Sequence, residues 1–393
     1  MNPVERVGTT IALGEPDRVP VDLHNFLPAA RASGLPMSQV FRDGELLAEA
    51  MLTAWREFGH DMILLENGTG CNAEACGVEV RYRDDTAPVA GRPVLDSLAK
   101  AAELEVPDPY VTFPMSEILK ATRILAREIG DQAWICARAD QGPMDLAAQL
   151  RGISDFMMDL ATAEEEDLIH ALLDYARRVA TRYAYALIEC GGRSTSIGEP
   201  IAGPAMISPR HYRRYPWSHE RRMVTELKEH GIILHLHICG NTERITDDFI
   251  GTGAQVLEID HKTDAAHLKA AARGKTCLLG NIDTNLLALG TAAEVQAACR
   301  EVIDICKPGG GFILARGAPW PRPPRPRTST CSSSRPRSTV PTGARERAQP
   351  GSRSRWADSN AGLPFAKKVR PRATSAPPTP VPPEAPGSPV MTP

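Results

Sequence analysis

Residues Ile232–Asn241 read I-I-L-H-L-H-I-C-G-N. This is a short apolar, β-prone run that ends in polar residues and a glycine, with helix-like stretches on either side. It is too short and too broken by histidines to be a membrane span. The same motif recurs along the chain. Strands are expected at Val19–Leu23, Met62–Leu65, Trp134–Ala137, Ser194–Gly198, Ile232–His237, Val256–Ile259, Cys277–Gly280 and Phe312–Ala315. Between them lie amphipathic stretches such as Gly44–Phe58, Glu164–Cys190, Tyr212–His230 and Ala292–Cys306. Eight strands alternating with helices predict an α/β fold of the (β/α)8 TIM-barrel type. A doubly wound open sheet would carry a glycine-rich turn after its first strand, and here that turn is His24-Asn25-Phe26-Leu27-Pro28.

Polar residues fall in register just past the strands: His24 and Asn25, Glu66 and Asn67, Gln141, Glu199, His237 and Cys239, Asp260 and His261, Asn281 and Asp283. In a barrel these positions meet at the C-terminal face, where such folds build their sites.

The formal charge of −3 hides a division. From Ala318 to Pro393 there are 13 Lys and Arg against 3 Asp and Glu, or +10, which leaves −13 on the first 317 residues. An acidic body gives no electrostatic reason to expect nucleic acid or an anionic membrane as partner. The opening M-N-P-V-E-R-V-G-T-T lacks the cationic and apolar regions of a signal peptide, and no run is long enough to span a membrane. Nine cysteines without a framework spacing fit a reducing, cytoplasmic setting.

After Gly317 periodicity stops, and 18 of the 34 prolines lie in the last 76 residues. Residues 1–317 are therefore read as the barrel domain and 318–393 as a disordered Pro/Arg/Ser-rich tail. The genetic code offers a sharper reading, an out-of-frame translation. Losing one C from codons for A-P-G-C-A-L-A yields A-R-G-A-P-W-P, the sequence at Ala315–Pro321. The neighbouring frame of Gly317–Ser334 can then read G-C-A-L-A-P-A-T-P-P-E-N-L-D-V-L-V-E, a strand-end cysteine, a loop and a helix start. On this reading the eighth barrel helix is missing from the chain.

Side chains alternate along a strand, so His237 and Cys239 project to one side, where an imidazole and a thiolate could hold a zinc ion. A bare H-x-C fits a core cysteine beside a hydrogen-bonded histidine as well. His235 shares the parity one layer deeper and reads as a supporting or packing histidine. Cys71 and Cys76 read as packing residues, and Gly309-Gly310-Gly311 as a turn. The run Glu164–Asp167 suits the first turn of a helix.

L-H-I-C-G-N-T at Leu236–Thr242 and G-N-I-D at Gly280–Asp283 resemble the uroporphyrinogen decarboxylase superfamily. So do G-E-P-I-A-G-P-A-M-I-S-P at Gly198–Pro209 and D-R-V-P-V-D at Asp17–Asp22, and the resemblance covers nearly all of residues 1–317. Within it, H-x-C with a later G-C is similar to the methylcobamide:coenzyme M and related corrinoid methyltransferases. That resemblance implies a zinc ion held by one His and two Cys, a methylcobamide donor on a corrinoid carrier protein, and a small thiol or other methyl acceptor. His237 and Cys239 match two of the ligands, and Ala318 stands where the third, a cysteine, is expected. Glu199, Asp260 or Asp283 could complete the metal's shell or serve as helix caps. The substrate pocket is expected from His24, Asn25, Glu66, Asn67, Gln141, Glu199, Asp260, Asn281 and Asp283, with no residue assigned a catalytic role. Decarboxylases of the superfamily carry an R-Q-A-G-R loop after the first strand, whereas His24–Arg31 has one arginine. A tetrapyrrole decarboxylase and an inactive frameshifted barrel are the alternatives.

Overall fold

The computed structural model describes residues 1–24 and 26–316. Its strands are β1 (Met62–Leu65), β2 (Val80–Arg81), β3 (Val89–Ala90), β4 (Trp134–Gln141), β5 (Ser194–Gly198), β6 (Leu234–Ile238), β7 (Val256–Ile259), β8 (Cys277–Ile282) and β9 (Phe312–Arg316). Seven of them form one parallel sheet in the order β1-β4-β5-β6-β7-β8-β9, while β2 and β3 make a small separate antiparallel hairpin. The first expected strand, Val19–Leu23, survives only as two bridges. Val21 pairs in parallel with Leu314 and Asp22 with Met62, so these residues tie the last strand to the first and curl the sheet closed. Proline 20 lacks an N–H, and its carbonyl accepts from Leu314 N at 2.9 Å, so pairing here has one fewer donor.

All seven sheet strands are buried along their length, as parallel strands covered by helices must be. The inward positions form two tiers. Met62, Leu64, Trp134, Cys136, Val256, Cys277, Leu279 and Ile313 make an apolar floor. Above them lie Glu66, Arg138, Ser196, His237 and Glu258, whose parity along the strands is the same.

The floor is stopped from below by a helix, Pro3–Ile11, that no strand–helix alternation foretold. Asn2 accepts from Glu5 N at 2.8 Å and Glu5 accepts from Asn2 N at 3.0 Å, a reciprocal cap with proline in the first turn. Val7 and Ile11 then pack into the floor cluster. Arg6 fastens the helix through Asp17 at 2.7 Å and buried Asp61 at 2.6 Å, and Arg18 reaches the same Asp61 at 2.6 Å.

Helices at Gly44–Phe58 and Ala292–Cys306 match the sequence pattern to the residue. The stretch expected as Tyr212–His230 is instead two helices, Pro209–Arg214 and Pro216–Glu229. Pro216 cannot donate to the turn before it and forces Tyr215 out of helical geometry, which breaks the helix there. Glu166 and Asp167 occupy the first turn of the helix Glu166–Glu189. Gly309, Gly310 and Gly311 all have positive φ, a turn ahead of β9. The expected missing eighth helix and the tail at 318–393 lie outside the described residues. Among the described residues no helix is long and apolar enough to cross a membrane.

Candidate functional site

His237 lies on β6 with its ring turned by the next strand. Its Nδ1 lies 3.0 Å from the backbone carbonyl oxygen of Glu258, an acceptor, so Nδ1 carries the hydrogen and Nε2 its lone pair. Nε2 stands 3.0 Å from Cys239 Sγ. Burial, then the repulsion of the Arg138 charge, lowers the His237 pKa to about 4, so the ring is neutral and free to ligate. Burial likewise pushes the Cys239 thiol up to about 12, with Asp260 adding to the shift. Without a cation beside it this thiol stays protonated.

The implied zinc can be tested against these atoms. A neutral imidazole with its lone pair aimed at a thiol, and its tautomer fixed by a carbonyl, is half of a tetrahedral zinc set. Among the described residues no third His, Cys, Asp or Glu joins them. The expected third ligand position, Ala318, lies outside the described residues.

The carboxylates expected as further ligands or caps all hold backbone. Glu199 is fully buried and accepts from Met144 N at 3.0 Å and Asp145 N at 2.8 Å, at the start of the helix Pro143–Arg151. Burial, with Glu220 nearby, holds its pKa well above the usual carboxyl range. Asp260 accepts from Gly240 N at 2.8 Å and Lys262 N at 3.1 Å, and lies 2.8 Å from His261 Nδ1. It thereby fixes the turn that carries Cys239. Asp283 caps the helix Thr284–Leu289 through Asn285 N at 2.8 Å.

Of the other expected pocket residues, Asn67 donates to Phe41 O at 3.3 Å and Asn281 to Thr263 O at 3.2 Å. Gln141 donates to Asp145. Asn25 lies outside the described residues. His24 and Glu66 meet directly, Nε2 to Oε1 at 2.6 Å.

Sequence reading missed the buried charge layer behind that pair. Glu66 Oε2 lies 3.1 Å from Arg138 Nε, and Arg138 Nη1 lies 3.6 Å from Glu258 and donates to Ser196 Oγ at 3.2 Å. Ser196 donates in turn to Glu258 Oε1 at 2.6 Å, which is 3.8 Å from His235 Nδ1. Arg316 donates from Nε to His24 O at 2.7 Å. The signal available was a charge inside a short apolar strand, as in W-I-C-A-R-A-D-Q and V-L-E-I. Cys71 and Cys76, read as packing residues, contact Tyr183 and Tyr175.

Comparison with known proteins agrees with this architecture. A methylcobamide:CoM methyltransferase of Methanosarcina mazei is 27% identical over 280 residues, 70% of this chain and 79% of that protein. A uroporphyrinogen decarboxylase of Thermus thermophilus is 28% identical over 280 residues, 70% of this chain and 78% of the relative. Among solved structures, a methyltransferase from Methanosarcina mazei superposes with a TM-score of 0.74 at 23% identity, covering 83% of this chain and 95% of its own, and so shares the fold. The model of the uroporphyrinogen decarboxylase (URO-D) family matches residues 2–322, most of the sequence, and the chain belongs to that family.

Proposed function

We propose that this protein moves a methyl group between a methylcobamide, presented by a corrinoid carrier protein, and a small thiol, with His237 and Cys239 as zinc ligands. The observation that carries the reading is the 3.0 Å approach of His237 Nε2 to Cys239 Sγ with the ring's hydrogen fixed on the far nitrogen. The name of the Methanosarcina relative supports the same chemistry. Zinc, when bound, supplies a Lewis acid that favours the thiolate over the thiol.

The chain's own groups prepare the rest. Glu258 presents the His237 lone pair, and Asp260 holds the Cys239 turn through Gly240 N. His24, Glu66, Asn67, Gln141, Glu199, Asp260, Asn281 and Asp283 would wall the acceptor pocket. The apolar floor closed by Val7 and Ile11 keeps water from entering below. Eight unpaired cysteines among the described residues support a cytoplasmic setting. The first 317 residues carry the working barrel. Tetrapyrrole decarboxylation fits less well, because the one arginine of the His24–Arg31 loop is exposed on the helix Phe26–Ala32.

The test is methyl transfer from methylcobalamin to simple thiols, followed by loss of methylcobalamin absorbance, with and without added zinc. Transfer that rises with zinc and disappears in Cys239→Ala is the expected result. Decarboxylation of uroporphyrinogen without thiol methylation would overturn the reading, and so would zinc-independent transfer unaffected by Cys239→Ala.

A further inference from the structure

We propose that His24, backed by Glu66, is the general base that removes the proton of the acceptor thiol. The inference rests on the methyl-transfer reading above and assigns one step of it to a residue. Three features of His24 converge. One ring nitrogen is engaged, because Nε2 donates to Glu66 Oε1 at 2.6 Å. The other, Nδ1, has no hydrogen-bond partner among the described residues, in a side chain that is 13% exposed. The backbone is also unusual, with φ at +42°, a left-handed conformation rare outside glycine. That conformation is held by Asp22 Oδ1 on its amide at 3.1 Å and Arg316 Nε on its carbonyl at 2.7 Å. Residues kept in such geometry by their surroundings cluster at working sites.

The dyad has the wiring of a hydrolase His–carboxylate pair. Glu66 accepts from the distal nitrogen, fixes the tautomer and faces the positive charge that forms on the ring. Glu66 in turn leans on Arg138 at 3.1 Å, which Ser196 and Glu258 hold in place. The charged groups that face His24 are Arg316 from β9, Glu66 from the end of β1 and Arg138 from β4. Burial, then Arg316, keeps the imidazole neutral with a pKa of about 4, and the ring is in its basic form at pH 7. Burial opposes the Glu66 charge, but His24 and Arg138 outweigh it and hold the carboxyl at about 2.

The step balances as follows. The S–H bond of the acceptor breaks and its proton passes to His24 Nδ1. The sulfur pair forms the S–CH3 bond, while the cobalt–carbon bond of the methylated corrinoid breaks with its electron pair left on cobalt. The products are a thioether, a corrinoid reduced by two electrons at cobalt, and an imidazolium that returns its proton to water at the barrel mouth.

The test compares an alkyl thiol with an aromatic thiol already ionised at neutral pH, using zinc-supplemented enzyme and methylcobalamin. In His24→Gln, kcat with the alkyl thiol should fall by about 100-fold, the lower end for loss of a general base. With the aromatic thiol it should fall less than about threefold, since no proton remains to be moved. Glu66→Gln should move both in the same direction, and imidazole should partly restore His24→Ala with the alkyl thiol. An equal loss with both thiols would mean a structural role and overturn the assignment, as would no loss with either. Nitrogen-15 NMR of the wild type gives a second test that needs no turnover, and a His24 with its proton on Nδ1 ends the proposal. A wild type that methylates neither thiol overturns the functional reading and removes the base with it.

Discussion

Asp22 sits where the charge layer meets the closing seam of the barrel. It is 1% exposed, its Oδ1 accepts from His24 N at 3.1 Å, and its Oδ2 has no partner among the described residues. Burial raises its pKa to about 7, with Glu258 and Glu66 adding to the shift while the His24 amide and Arg316 oppose it. Between its ordinary value of 3.8 and about 7 the folded chain holds a proton that the unfolded chain has lost, so this group makes stability fall as pH rises. Asp22→Asn keeps the acceptor and never carries the charge. Its advantage in Tm over the wild type should grow from about pH 4 and level off above about pH 7; melting curves across that range check it, and a constant offset would contradict it. At this scale the placement of His237 and Cys239 on one side was legible because period-2 alternation decides it, whereas His24 and Glu66 could be read only as polar residues just past a strand. Arg138, Glu258 and Arg316 were not legible. A strand buried on both faces hides which of its faces looks inward, and a charge there reads as a surface residue until its partners on other strands are known.

Between elements, the start of the helix Gly44–Phe58 lies tight against the helix Met115–Ile129. A Cβ on Gly44 would fall inside the van der Waals envelope of Glu117 O. Gly44→Ala therefore has to push two helices apart, and it should cost about 1–3 kcal/mol, the usual range for overpacking. Denaturant unfolding measures this, and an unchanged midpoint would mean the helices yield freely. Most elements could be read from the sequence because an apolar run of four to eight residues bounded by polar ones has few other structures available. The Pro3–Ile11 helix was missed even though its signal was present: Asn2, Pro3 and Glu5 are a cap, a first-turn proline and the third-position acid. The break at Pro216 was missed because hydrophobic periodicity continues through it, and only the missing N–H stops the helix. The helix Ala292–Cys306 buries only Cys306, whereas Gly44–Phe58 buries seven residues.

For the molecule as a whole, the sharp change in sequence character after Gly317 implies a test by repair. A chain with the reading frame restored would gain the G-C cysteine and a helix beginning L-D-V-L-V-E, and it would exchange Arg316 for proline. It should be more soluble and bind zinc at about one ion per chain, where the present chain with Ala318 should bind weakly; metal analysis of both proteins decides the matter. Equal zinc content in the two would remove the reason to invoke a lost base. The floor of the barrel has a consequence for timing. Val7 and Ile11, seated among Met62, Trp134, Val256 and Ile313, fill the barrel interior at the N-terminal ends of its strands among the described residues. On the methyl transfer proposed above, the two reactants would share the opposite doorway, so the smaller would enter first and the larger, docked over the opening, would shut it in until the exchange is done.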